Sequence, residues 1–191
     1  MSIDTVVQGL LGAGNVAGAA TEAIRGLGPS VLQYLRSLLR DEGDAGEAFS
    51  SFAEHLWVGL KSYRGEGSFR SWTFRLARNA ALNLRNEAWH RQVRPFDTGE
   101  ATALADEVRT RSSSRMEKQR QAQELEELRR ELSEEDRTLL ILRVDQELSW
   151  PEISDVLSMG GEPILPNTLA QRFVHIKQLL RKRARDRGLL D

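Results

Sequence analysis

The sequence predicts an all-α protein of two small helical domains joined by a flexible linker, the C-terminal one a helix-turn-helix. Three observations carry this expectation. Apolar residues recur at three- and four-residue spacing almost throughout, with no alternating strand pattern. An acidic, polar stretch poor in large apolar groups, residues 96–115, separates two such runs. Near the C-terminus a helix-start signal, a Gly-bearing turn and a second periodic run follow one another.

Taken in order, residues 1–28 are rich in Gly and Ala and are expected to form a weakly ordered N-terminal extension. Ser30 can cap a helix whose apolar positions are Val31, Leu32, Leu35, Leu38 and Leu39. The stretch 41–46 (DEGDAG) reads as a turn. A second helix carries Phe49, Phe52, Ala53, Leu56 and Leu60, with Trp57 on its edge. Residues 63–68 (YRGEGS) form a Gly-bearing loop. Phe69, Trp72, Phe74, Leu76, Ala80 and Leu84 then belong to a long basic helix ending near 89–94, and Pro95 closes the unit. The first domain is thus expected over 29–95 and the second over 116–191.

In the second domain, Ser133 opens a helix that buries Leu139, Leu140 and Leu142, with Asp136 as a weak capping-box partner. Ser149-Trp150-Pro151-Glu152 is a full capping box, with Pro at the first helical position where its missing N–H costs nothing. Ile153, Val156 and Leu157 give that short helix its buried face. A turn from Ser158 to Pro166 contains Gly160 and Gly161. Asn167 can cap the next helix, whose stripe is Leu169, Phe173, Ile176 and Leu180. Its outer face presents Gln171, Arg172, His175, Lys177, Gln178 and Arg181. Gln and Arg can read base edges through paired hydrogen bonds, and Lys or Arg can neutralise phosphates. This is the layout of a DNA-reading helix-turn-helix; the alternative is a plain αα-hairpin with a charged surface.

Charge is distributed unevenly. The net value of −1 hides blocks of −4 (1–59), +6 (60–96), −8 (97–166) and +5 (167–191). Two basic blocks separated by an acidic one suggest two contacts with a polyanion, although solvated helix faces would look the same. No cysteine is present, which excludes disulfides and thiolate metal sites and fits a reducing cytoplasm. The N-terminal stretch lacks a basic n-region and no apolar run reaches membrane-span length, so neither a signal peptide nor membrane insertion is expected. HExxH, Walker A and GxSxG motifs are missing, and Glu87-x-x-His90 is a single copy of a motif that a di-iron site needs twice. Neither an enzyme nor a cofactor or metal is expected.

Two stretches together resemble the extracytoplasmic-function sigma factors of bacterial RNA polymerase. Residues 44–57 followed by YRGEGSFRSWTFRLARNAALNLRN (63–86) are similar to the family's region 2. LSEEDRTLLILRVDQELSWPEISDVLS (132–158) with NTLAQRFVHIKQLLRKR (167–183) is similar to its region 4. The resemblance implies a cytoplasmic factor that binds core polymerase, recognises −10 and −35 promoter elements and initiates transcription, with an anti-sigma factor or other regulator as a further partner. It implies clamp contacts at Ser50, Ser51, Glu54 and His55. It implies capture of the single-stranded −10 element by Arg64, Gly65, Glu66, Ser68, Phe69, Arg70, Trp72, Arg75, Arg78, Asn79 and Asn83, with Arg85 also along the strand. It implies −35 duplex contacts at Thr168, Ala170, Gln171, Arg172, Val174, His175 and Arg181.

A charged groove with stacking platforms suits unpaired bases, and Tyr63, Phe69 and Trp72 stand within the +6 block. Trp72 could equally be core. Ser50-Ser51 stands where the family has Gln-Glu, the turn 158–167 is long, and residues 1–28 have no counterpart in the pattern; a regulatory or anti-sigma contact is the expectation for them. Two other readings stay open: a stand-alone helix-turn-helix regulator, and a sigma-like adaptor that binds polymerase without melting DNA.

Overall fold

The computed structural model describes residues 2–65, 67–91, 124, 127–158 and 164–190, with side chains in the long basic helix followed as far as 86. Every regular element among the described residues is helical. The linker expected at 96–115, Pro95, Glu66 and the glycines at 160 and 161 lie outside them.

The N-terminal stretch is helical rather than weakly ordered. Ser2 accepts the Thr5 N–H and starts α1, Ile3–Gly12. Gly14, at φ 72°, turns the chain, and Asn15 accepts the Gly18 N–H to start α2, Val16–Leu39. The start expected at Ser30 therefore falls inside a continuous helix that also contains Pro29. Ala19, Ala20, Ala23 and Leu27 are buried alongside Val7. Small side chains let α1 and the first half of α2 approach the bundle closely, so a Gly/Ala-rich composition here means tight packing instead of disorder.

Arg40, at φ 66°, ends α2, and Asp41 accepts the Asp44 N–H to begin α3, Glu42–Gly59. The stretch expected as a turn is thus mostly the first turn of a helix, where Glu42 and Asp44 complement the helix dipole. Arg36 and Glu42 pair across the corner. A short 3₁₀ turn, Leu60–Ser62, leads to the loop and then to α4, Phe69–Arg91. The core of this bundle is Tyr34, Leu35, Phe52, Leu56, Leu60, Phe69 and Phe74, all at most 2% exposed. The Tyr34 ring meets Phe74 edge-on at 5.6 Å.

In the C-terminal unit residues 127–130 are helical, and Ser133 caps α5, Glu134–Leu140, by accepting the Asp136 N–H as the sequence predicts. The helix runs on through one π turn, Ile141–Asp145. Arg129 forks onto Asp145 with both N–O distances at 3.0 Å, which fastens the unit's first turn. The capping box forms at Ser149 and Glu152, opening α6, Trp150–Leu157. The final helix α7, Pro166–Asp186, has Pro166 at its start and Leu165 at the cap position, so Asn167 is inside the helix. Leu169, Ile176 and Ala184 are its buried residues, with Phe173 and Leu180 partly buried.

The two units are not independent bodies. Helix α4 packs along α6, and α2 reaches α5. A single apolar cluster runs from Val7 through Phe52 and Phe74 to Ile153 and Ile176. Arg40 reinforces the junction by donating to the Arg130 carbonyl at 2.6 Å.

Candidate nucleic-acid interface

The loop and first turns of α4 are built around glycine and serine. Gly65 (φ 74°) and Gly67 (φ 83°) take the left-handed conformation, so a side chain at either position would be strained. The Ser68 hydroxyl accepts the Ser71 N–H at 3.0 Å and so caps α4. Tyr63, Phe69 and Trp72 form one aromatic cluster with centroids 4.9–5.4 Å apart. Phe69 is its floor, 0% exposed, whereas Tyr63 and Trp72 stay half-buried. The indole of Trp72 lies over Gly59, where an added Cβ would stand 3.0 Å from the ring. Trp72 is thus both packed and partly accessible.

Of the other residues expected along a single strand, Arg64, Gly65 and Asn83 are exposed, and Ser68, Arg70, Trp72, Arg75, Arg78 and Asn79 are half-buried. From Arg75 onward they share α4 at three- and four-residue spacing, so one helix positions them all.

On α7, Thr168, Gln171, Val174, His175 and Arg181 are exposed, and Ala170 is half-buried. Arg172 has turned aside: its Nε donates to Asp136 at 2.6 Å and its Nη2 to Glu135 at 2.8 Å. Partial burial works to lower the Arg172 pKa, but the two carboxylates outweigh it and hold the guanidinium above its ordinary value. Trp150 packs edge-on against Phe173 at 5.5 Å and carries Arg143 over its face at 4.7 Å, bracing α6 against α7.

On α3, Ser50, Glu54 and His55 are exposed and Ser51 is half-buried, with Trp57 (46%) and Val58 (68%) bare beside them. Ser50 donates to the Gly46 carbonyl at 3.1 Å, and the His55 ring lies 2.6 Å from the Ser51 carbonyl oxygen. Polar groups flanking an open apolar edge make this face suited to a protein partner.

Asp4, Gln146 and Glu134, which sequence reasoning did not single out, meet residues of α4, and Glu152 takes a second role there. Asp4 accepts the Phe69 N–H at 2.6 Å, so α1 supplies a carboxylate to the helix N-terminus. Glu152 accepts from the Ser68 hydroxyl at 2.7 Å, and the Gln146 carbonyl accepts from Arg70 at 2.5 Å. Burial pushes the Glu152 pKa up, yet hydrogen bonds from Ser149 and Ser68, with the nearby Arg70 charge, win and hold it below its ordinary value. Glu134 pairs with Arg85 of α4, and that bond holds the Arg85 pKa above its ordinary value. The capping box signalled Glu152 only in its local role; its partner lies 84 residues away.

Among the described residues no group of His, Asp and Glu is placed to hold a metal, and no helix is long and apolar enough to cross a membrane.

Residues 23–91, most of α2 with α3 and α4, match the family model of Sigma-70 region 2. The whole fold is similar to that in the solved structure of CnrH in complex with the cytosolic domain of CnrY. The two share 19% identity at a TM-score of 0.65, over 95% of this chain and 96% of that one. No curated protein sequence matches the chain.

Proposed function

We propose that this chain is a sigma factor of the extracytoplasmic-function type, working in the cytoplasm to direct bacterial core RNA polymerase to promoters without catalysing a reaction itself. The observation that carries the proposal is the Sigma-70 region 2 match over 23–91, which coincides with the basic helix α4 and its glycine loop. The fold shared with CnrH supports the same reading for the whole length.

In this account the α3 face with Ser50, Ser51, Glu54 and His55 docks on the polymerase. The loop residues Arg64, Gly65 and Glu66, together with Trp72, receive an unpaired −10 base over the floor made by Phe69. Ser68, Arg70, Arg75, Arg78, Asn79 and Asn83 follow the strand. Base capture of this kind combines cationic groups for the backbone with an aromatic face for the base. The exposed face of α7, from Thr168 to Arg181, enters the −35 major groove, with Gln171 and His175 toward base edges and Arg181 toward phosphate. CnrH has a bound CnrY domain, and a comparable regulator is proposed as a partner here.

The test is assembly with purified core polymerase and binding of a fork-junction probe whose −10 segment is unpaired. Arg75→Ala and Asn79→Ala should each weaken probe binding by about tenfold while leaving co-migration with core intact. Glu54→Ala with His55→Ala should reduce co-migration. Tight binding to promoter duplex that gains nothing from core polymerase would overturn the proposal and favour a stand-alone regulator.

A further inference from the structure

We propose that helix α1 is part of the −10 site, with Asp4 as the positioning residue for the base-receiving loop and Gln8 as a residue that reads the captured base. The inference rests on the promoter-binding reading above.

Helix α1 ends before residue 23, where the region 2 match begins, so nothing in that match assigns it a role. It is held firmly. Val7 is 0% exposed, and Ile3 lies against α2, where a Cβ added at Gly26 would stand 3.1 Å from Ile3 Cδ1. Ile3 and Val7 form the face turned to the bundle. Asp4 and Gln8 each follow one of them in sequence, so they share the neighbouring face at the same four-residue spacing. That face meets the loop at both of its ends, Asp4 at Phe69 and Gln8 at Gly65.

Asp4 sets the floor of the site. Its carboxylate accepts the Phe69 N–H at 2.6 Å, and Phe69 is both the first residue of α4 and the buried base of the aromatic cluster. Burial, and then the Asp4 charge, raise the Tyr63 pKa and keep its hydroxyl protonated. That hydroxyl donates to the Gly67 carbonyl at 3.5 Å, across the loop. One carboxylate thus bears on two of the three rings that a base would meet.

Gln8 stands at the mouth of the loop. It is exposed, as are Arg64 and Gly65. A Cβ added at Gly65 would lie 3.6 Å from Gln8 Nε2, so the amide sits in contact range of the glycine turn. An amide carries a donor beside an acceptor, which matches the paired donor and acceptor of a base edge; a phosphate offers acceptors only. Arg64 can supply charge for the strand's backbone, whereas uncharged Gln8 adds discrimination between bases.

The experiment uses the full chain assembled with core polymerase and fork-junction probes in which each unpaired −10 position carries each of the four bases in turn. The variants are Gln8→Ala, Asp4→Ala, Asp4→Asn and, as a control on α1, Gly9→Ala, whose added Cβ meets nothing within 4 Å. Gln8→Ala should weaken binding about fivefold for the preferred base at one position and flatten the preference there, because one base-edge hydrogen bond is lost. Asp4→Ala should weaken every unpaired probe about threefold, as fewer loops hold the receiving geometry, while co-migration with core is unchanged. Asp4→Asn keeps the acceptor for the Phe69 N–H and should restore binding. Gly9→Ala should leave the base profile as it is. Equal loss for all four bases in Gln8→Ala, or none, would overturn the reading role; unchanged binding in Asp4→Ala, or no rescue by Asp4→Asn, would overturn the positioning role. A wild-type chain that binds none of the probes with core polymerase would overturn the promoter reading and this inference with it.

Discussion

Ser68 and Glu152 each serve two partners, so neither substitution alone isolates the bond between the units. Ser68 caps α4 through the Ser71 N–H and donates across the interface; Glu152 completes the capping box of α6 and accepts that bond. A double-mutant cycle separates the parts. Losing either cap costs about 1 kcal/mol. The inter-unit bond is 2.7 Å, charge-assisted and part-buried, and its low-end net worth is about 1 kcal/mol. Ser68→Ala and Glu152→Ala should each destabilise the chain by about 2 kcal/mol, and the double variant by about 3 rather than 4. The assay is urea unfolding followed by circular dichroism, where the continuous apolar cluster predicts one shared transition for both units. Additivity within about 0.3 kcal/mol, or two separate transitions, would refute the claim that the units are fastened to one another here.

Tyr34→Phe should leave stability unchanged or raise it by up to about 1 kcal/mol, because the phenol oxygen is buried with no partner among the described residues while its ring contact with Phe74 survives; thermal unfolding measures it. The Glu152 carboxyl is held below its ordinary pKa of 4.5, so its stabilising contribution is complete above that pH and is lost as pH falls through the folded value. The acid limb of the stability curve should therefore flatten in Glu152→Gln. Arg181→Ala should weaken −35 duplex binding evenly across sequences and reduce the slope of log affinity against log salt by about 1. Gln171→Ala should instead cost about 1–3 kcal/mol on the cognate sequence alone, measured by competition with mismatched duplexes.

What was legible in the sequence was local. The capping box at Ser149 and Glu152, the Ser133 cap and the stripe Leu169, Phe173, Ile176 are all set by neighbours three or four residues away, so a linear reading finds them. Trp72 drew two readings, and both describe it: its ring packs on Gly59 yet stays partly accessible. Residues 3–27 were misjudged because alanine carries little hydrophobic signal. Its burial at positions 19, 20 and 23 reflects how closely the partner helices approach, which composition does not encode. The turn expected at 41–46 failed for a related reason: two glycines argued against a helix that the Asp41 cap and the packing of Ala45 and Ala48 sustain. Nor could the sequence reveal that Arg172 and Arg85 would find carboxylates in the turn that begins α5. Those partners are 36 to 49 residues away: the Arg172 pairs are defined once α7 folds onto α5, and the Arg85 pair once the two units close on each other.

Run-off transcription tests the central claim most directly: purified bacterial core polymerase on genomic fragments, with and without this chain. Discrete new transcripts that require the chain, and that disappear with Asn79→Ala, are the predicted result. Co-migration with core polymerase without any new transcript would contradict promoter opening by this chain and leave an adaptor in its place.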